Sequence, residues 1–169
     1  MKTSFIIMTL LISSMNLSVS AQTEATQDSP AKEEILTSKV TRSQLQTGDF
    51  GEYFKYNYTN YAPNREIINE LKNRIYGCDI IVVLGTWCSD SQREVPRFYK
   101  IMDKLEYNTN TVKVFCVDRN KTAGDIDISN LNIERIPTFI ILKNGTEIGR
   151  IVESPDYTLE KDLLEIINN

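Results

Sequence analysis

The sequence predicts an α/β fold in which a central mixed sheet carries helices on both faces and is preceded by an N-terminal extension. Three observations point to it. Residues 79–85 (DIIVVLG) are a nearly continuous apolar run, the mark of a strand buried on both faces. A stretch from Ser89 to about Leu105 places Val95, Phe98, Met102 and Leu105 at helical spacing, and a second apolar strand, 111–117 (TVKVFCV), follows it. Two apolar runs, 138–142 and 147–152, flank Lys143-Asn144-Gly145-Thr146, and Asn-Gly between such runs is a strong hairpin signal. Two buried strands linked by a helix form a parallel pair with a right-handed crossover, and the hairpin adds antiparallel strands.

The remaining elements follow in chain order. Asn64 can cap a helix with Ile67, Ile68, Leu71 and Ile75 on one face, and Gly77 can end it. Pro96 falls inside the helix that begins at Ser89 and is expected to kink it. An irregular segment joins the second strand to the hairpin. Residues 158–167 close the chain as a helix with Leu159, Leu163 and Ile167 inward.

The N-terminus reads as an export signal. Lys2 is followed by an apolar stretch, 5–12, broken only by Thr9, and Val19-Ser20-Ala21 fits a signal-peptidase site before Gln22. The apolar run is too short for about 30 Å of hydrocarbon. The division expected is therefore a signal peptide at 1–21, a flexible linker at 22–45, an aromatic-rich extension at 46–63 and the main domain at 64–169. Phe50, Tyr53, Phe54, Tyr56, Tyr58 and Tyr61 in the extension are expected to pack on the main domain, with an aromatic ligand groove as the alternative. A periplasmic or secreted protein is expected, with no membrane span after cleavage, in a compartment where disulfide chemistry is available.

Composition narrows the chemistry. The 169 residues carry 23 acids against 19 bases, a net charge of -4, so no nucleic-acid partner is expected. There is no histidine, which excludes Ser-His and Cys-His catalytic pairs and His-containing zinc sites. Of the 3 cysteines, Cys78, Cys88 and Cys116, at least one is unpaired in a monomer. Asp118, Asp125 and Asp127 lack the spacing of a calcium loop. Neither a metal nor a cofactor is expected. Asn57-Tyr58-Thr59, Asn120-Lys121-Thr122 and Asn144-Gly145-Thr146 are glycosylation sequons of a kind that often arise by chance.

The chemistry gathers at Cys88, which follows a buried strand and opens a helix. Unpaired N–H groups and the helix dipole favour negative charge there, and so the thiolate nucleophile of disulfide exchange. Asp90 opposes this. Ser91, one turn on, can hydrogen-bond the sulfur, and Trp87 offers an apolar contact surface. Cys78 belongs to the opposite edge of the sheet, beyond disulfide reach. Cys116 lies on the same edge as Cys88, so a Cys88–Cys116 bond is an alternative to two plain buried cysteines.

The run Trp87-Cys88-Ser89-Asp90-Ser91 after an apolar strand, then Val117-Asp118, Ile136-Pro137-Thr138-Phe139, and the Asn144-Gly145 hairpin with Gly149, together resemble the thioredoxin superfamily over about residues 64–169. The segment from Ser91 to Pro96 is similar to that of exported bacterial thioredoxin-like proteins with an N-terminal extension. The resemblance implies a thioredoxin-like fold in which Cys88 attacks a substrate disulfide, while Ile136 and a cis Pro137 flank the sulfur and hold substrate backbone. Two departures matter. Ser91 stands where the family has its resolving cysteine, and Val82 where many members bury a carboxylate.

Without a resolving cysteine the expected chemistry is of the monothiol type. Cys88 is the nucleophile, Ser91 its helper, and Trp87, Ile136 and Pro137 the substrate surface. The expected partners are proteins with disulfides or thiols, plus an external thiol or reductase that releases the mixed disulfide. A redox-silent binding or chaperone-like module is the competing function. Peroxide reduction ranks lower, because no activating Thr or Arg constellation is evident around Cys88.

Overall fold

The computed structural model describes residues 36–169. The expected signal peptide, 1–21, and the first part of the linker, 22–35, lie outside them. Five strands form one mixed sheet: β1 (Ser38–Val40), β2 (Cys78–Leu84), β3 (Lys113–Cys116), β4 (Thr138–Lys143) and β5 (Thr146–Val152), in the order β1-β3-β2-β4-β5. The central pair β2–β3 is parallel, as expected, and β1–β3, β2–β4 and β4–β5 are antiparallel. The helices are α1 (Arg42–Leu45), α2 (Gly48–Asn60), α3 (Arg65–Lys72), α4 (Ser89–Lys104) and α5 (Leu159–Asn168).

Local chemistry accounts for most boundaries. The Asn64 side chain accepts from the N–H groups of Glu66 and Ile67 and starts α3, and Thr158 accepts from Lys161 N–H and starts α5. The β4–β5 turn is Asn144-Gly145, both at positive φ (54° and 78°), the backbone a two-residue hairpin requires. Helix α3 stops at Lys72, earlier than Gly77, although Ile75 is still buried.

Pro96 sits inside an unbroken α4. Proline cannot donate to the carbonyl four residues before it. That carbonyl, of Gln92, instead accepts from Asn57 Nδ2 on α2 at 3.0 Å. The neighbouring helix thus fills the gap, and the Asn57 amide of the first sequon is engaged in structure.

The alternation of β2 divides the core. Ile80, Val82 and Leu84 face one cluster and Ile81 and Val83 the other. The buried apolar residues of all five helices belong to the first cluster. The second face is covered by the irregular segment between β3 and β4, through Val117, Ala123, Ile128 and Ile136, with one 3-10 turn at Ser129–Leu131. The α/β class and mixed sheet hold, whereas the helical layer expected on the second face is replaced by this segment. Its apolar residues recur every two to three positions among Asp, Asn and Gly, which suits a winding chain and not an α-helix.

The flexible-linker reading also needs correction for residues 38–45, which form β1 and α1. Val40 and Leu45 are buried, and a capping box joins Thr41 to Gln44. The aromatic stretch is α2, packed on α4 with Phe50 and Phe54 in the core, while Tyr53 and Tyr56 stay exposed. Arg42 fixes this N-terminal part to α4. Its guanidinium donates to both Asp103 oxygens at 2.6 Å, and its Cζ lies 4.9 Å from the Tyr99 ring centroid and 5.6 Å from that of Tyr58. Tyr58 Oη also donates to Asp103, at 2.6 Å.

Partial burial alone would raise the Asp103 pKa, but the hydrogen bonds from Arg42 and Tyr58 outweigh it and hold the carboxyl below its ordinary range. A carboxylate whose folded pKa is depressed contributes stability above its unfolded pKa and loses it as pH falls through the folded one. Arg42→Ala is expected to lower stability by about 1–2 kcal/mol, a figure reduced for the pair's partial exposure. The wild type should lose that increment on acidification below about pH 4. Urea unfolding at neutral and acid pH checks both, and an Arg42→Ala midpoint equal to wild type at neutral pH would refute the clamp.

Candidate functional site

The site forms where the carboxyl ends of β2 and β3 meet the amino end of β4. Because β4 runs antiparallel to β2, Thr138 pairs with Val83, which brings the residues just before β4 beside those just after β2. Cys88 is the N-cap of α4, and its N–H donates to Gly85 O at 3.0 Å. The partly exposed thiol donates to Ile136 O at 3.4 Å, next to a cis Ile136–Pro137 bond. Ile136 is buried and shares a cluster with Trp87 and Cys88. Four of the five residues singled out in the sequence, Trp87, Cys88, Ile136 and Pro137, therefore meet in one place.

Ser91 is placed differently from its expected role. Its hydroxyl oxygen is fully buried and accepts from Gly85 N–H at 3.2 Å, so it closes the strand-to-helix turn, and the thiol turns to Ile136 O. The reason is geometric: the side chain one turn into α4 points back over the preceding turn, where the Gly85 amide needs an acceptor. Gln92 completes the closure, its Nε2 donating to Thr86 O at 2.8 Å. Neither contact is written in the sequence pattern.

Cys88 opens α4, but its side chain makes no cap hydrogen bond to the first-turn N–H groups. Asp90 would oppose a thiolate, but Arg93 Nη2 donates to it at 2.6 Å and offsets its charge. Arg93 Nε also donates to Glu94, whose Oε2 is buried and unpaired. The position expected to lack a carboxylate, Val82, is fully buried among apolar neighbours.

Trp87 is held by an Nε1–H···O bond to Val117 at 3.1 Å, and the Arg119 guanidinium lies over its ring, 4.6 Å from the centroid. The Asp118 carboxylate accepts from Asn120 N–H and Thr122 N–H at 2.8 and 2.9 Å, shaping its own loop in the manner of an Asx turn. Among the described residues no cluster of three or more His, Cys, Asp or Glu side chains is arranged to hold a metal ion.

All three cysteines are free thiols. Cys78 and Cys116 point into the helix-side cluster, whereas Cys88 lies with the opposite one. The sheet itself separates Cys116 from Cys88, which removes the alternative of a bond between them. Burial pushes the Cys116 thiol up to about 12 and raises that of Cys78.

Gly85 tests the packing of this site. A Cβ there would sit 2.7 Å from Ile136 Cδ1 and 2.8 Å from Trp87 ring atoms. Gly85→Ala is expected to displace the ring and destabilise by about 1–3 kcal/mol. The chain has 1 tryptophan, so its fluorescence reports directly on the site. An unchanged emission spectrum with an unchanged Tm would contradict this packing.

The thioredoxin-like protein R548 of Acanthamoeba polyphaga mimivirus is 30% identical over 90 residues, which cover 53% of this chain and 62% of that protein. Among solved structures, a Pseudomonas aeruginosa protein of unknown function is 19% identical with a TM-score of 0.48, covering 70% of this chain and 81% of that one. Fasciola hepatica thioredoxin is 19% identical with a TM-score of 0.38, covering 60% of this chain and 88% of that one. The thioredoxin family model matches residues 44–162, so the match begins before 64 and takes in the aromatic helix α2. With Trp87, Cys88 and the cis Pro137 assembled at one sheet edge, this chain belongs to the thioredoxin family.

Proposed function

We propose that the chain is an exported thiol-disulfide oxidoreductase of the monothiol type, working on protein disulfides through Cys88. One observation carries the reading: a single accessible thiol at a helix start beside a cis-proline, with Ser91 where a resolving sulfur would stand. The Cys88 thiolate attacks one sulfur of a client disulfide. That S–S bond breaks, the other client sulfur leaves as a thiolate, and Cys88 is held in a mixed disulfide. A second client thiol can release it, which isomerises the client without net redox change. Alternatively, an external thiol attacks the Cys88 sulfur and frees the client, and a second equivalent clears Cys88. Two thiols are then oxidised to one disulfide and the client disulfide is reduced.

Ile136 O, which meets the thiol, supports a role for this backbone in seating the client, with Pro137 and Trp87 as its apolar walls. Ser91 is a positioning residue in this scheme, through its bond to Gly85. The N-terminal 1–21 segment supports export to the periplasm or beyond. The N-terminal sequence of protein recovered outside the cytoplasm tests that part, and a start at Gln22 is the expected result.

Cys88→Ser is expected to abolish mixed disulfides with a disulfide-containing peptide, while wild type holds them until an external thiol is added. Ser91→Cys is expected to release bound peptide without added thiol, by supplying the missing resolving sulfur. Non-reducing gels with mass spectrometry read both. Client binding that survives Cys88→Ser and ignores reductant would replace this reading with that of a binding module.

A further inference from the structure

We infer that Asn57 on α2 is a positioning residue for Cys88, holding the turn that carries the thiol by way of Gln92. The inference rests on Cys88 as the reacting thiol of the proposed exchange and adds the residue of the N-terminal extension that sets its place. Gln92 meets the turn at two points. Its backbone N–H donates to Cys88 O at 2.9 Å, and its Nε2 donates to Thr86 O at 2.8 Å. The two carbonyls bracket Trp87, so Gln92 governs the backbone on both sides of the tryptophan.

The Gln92 carbonyl would ordinarily accept from the N–H four residues on, but that residue is Pro96. A part-buried carbonyl without a donor is costly, and the first turns of α4 would have to shift to find one. Asn57 Nδ2 supplies the donor at 3.0 Å. The same nitrogen also donates to Tyr53 O at 3.1 Å, within α2, which aims it. The restraint therefore runs from α2 through Gln92 to residues 86–88. Leu36 N–H adds a longer contact from the same extension, 3.4 Å from Thr86 Oγ1. Asn57 acts through Gln92 and takes no part in the bonds that change.

The test follows amide hydrogen exchange in the full chain by NMR, beside the rate at which Cys88 takes up a disulfide-containing peptide. The reporters are the N–H groups of Gly85, Cys88 and Gln92, which donate to Ser91 Oγ, Gly85 O and Cys88 O. In Asn57→Ala they are expected to exchange about fivefold faster, the scale of one net hydrogen bond, and peptide uptake to slow by a similar factor. Asn57→Asp keeps the size of the side chain but removes the donor, and should lose as much. Pro96→Ala restores an N–H to the helix, so in that background Asn57→Ala should change either rate less than twofold. Arg42→Ala, which breaks the Asp103 clamp elsewhere on α4, should leave the three amides at their wild-type rates.

Wild-type amide rates in Asn57→Asp would overturn the inference, and so would a full Asn57→Ala loss in the Pro96→Ala background. Equal quickening of the three amides in Arg42→Ala would also overturn it, by assigning the effect to general stability. So would an unchanged uptake rate in Asn57→Ala. Failure of the disulfide-exchange reading looks different: wild type itself would then take up no peptide, while the amide rates would still decide whether Asn57 holds the turn.

Discussion

Burial of β2 on both faces is the constraint on which everything else rests. Val82, Val83 and Leu84 have no exposed surface, and neighbouring positions serve opposite clusters. A slip of one residue would exchange the two faces and send every side chain into the wrong core. The strand is also paired on both sides, with Val82 opposite Val114 on β3 and Phe139 on β4. Its register therefore determines where β2 ends, and with it the position of Cys88. The same register sets the start of β4, which is why Ile136 and Pro137 arrive beside a cysteine nearly fifty positions earlier. The ladder continues past β3, where Val117 N–H donates to Leu84 O at 2.8 Å and carries the Trp87 acceptor to the site.

The two faces of the sheet then take different work. The helix face is a thick aromatic and aliphatic core, in which Phe98 packs edge-on to Tyr99 and 5.2 Å from Phe139. Arg42, Asp103 and Tyr58 tie the first helices to it at its border. A second polar tie lies nearby: Tyr61 Oη and Asn64 N–H both donate to the buried Glu160 carboxylate on α5. The other face is thinner and is covered by an irregular chain whose ends, Val117 and Ile136, are themselves walls of the site. The candidate site thus sits on the side where the backbone is shaped by turns, and the helix side holds it in place.

How far the sequence could be read follows from this division. Elements whose signal is local were legible: the doubly apolar β2, the Asn64 cap, the Asn144-Gly145 turn and the helix that Cys88 opens. The strand β1 was not, because three residues with only Val40 buried have no measurable period. The Thr41–Gln44 capping box was the available sign that order begins there. The missing helical layer follows from a segment with no helical period, whose irregularity was itself readable. At the site, the meeting of Trp87, Cys88, Ile136 and Pro137 was legible through the family resemblance. The turn of Ser91 toward Gly85 was not, since a serine hydroxyl can either donate to a sulfur or accept from a backbone N–H, and only the closed loop decides between them. Arg119 over Trp87 depends on where the β3 exit folds back, which no short-range pattern encodes.

The three thiols complete the argument for what kind of chemistry this arrangement can run. A thiol exchanges disulfides as its thiolate, and burial raises Cys116 to about 12, which keeps it protonated at neutral pH. Cys78 is also buried and raised, at the far end of β2. Both lie across the sheet from Cys88, so neither can approach its sulfur without dismantling the core that fixes the site. Ser91 is committed to the Gly85 amide and brings no sulfur. In the proposed exchange, a mixed disulfide on Cys88 would therefore meet neither of the other two thiols of the chain, and its release would fall to a thiol from outside. Under the proposed exchange, discrimination among incoming partners would then fall to the residues gathered around the sulfur, Trp87, Ile136 and Pro137.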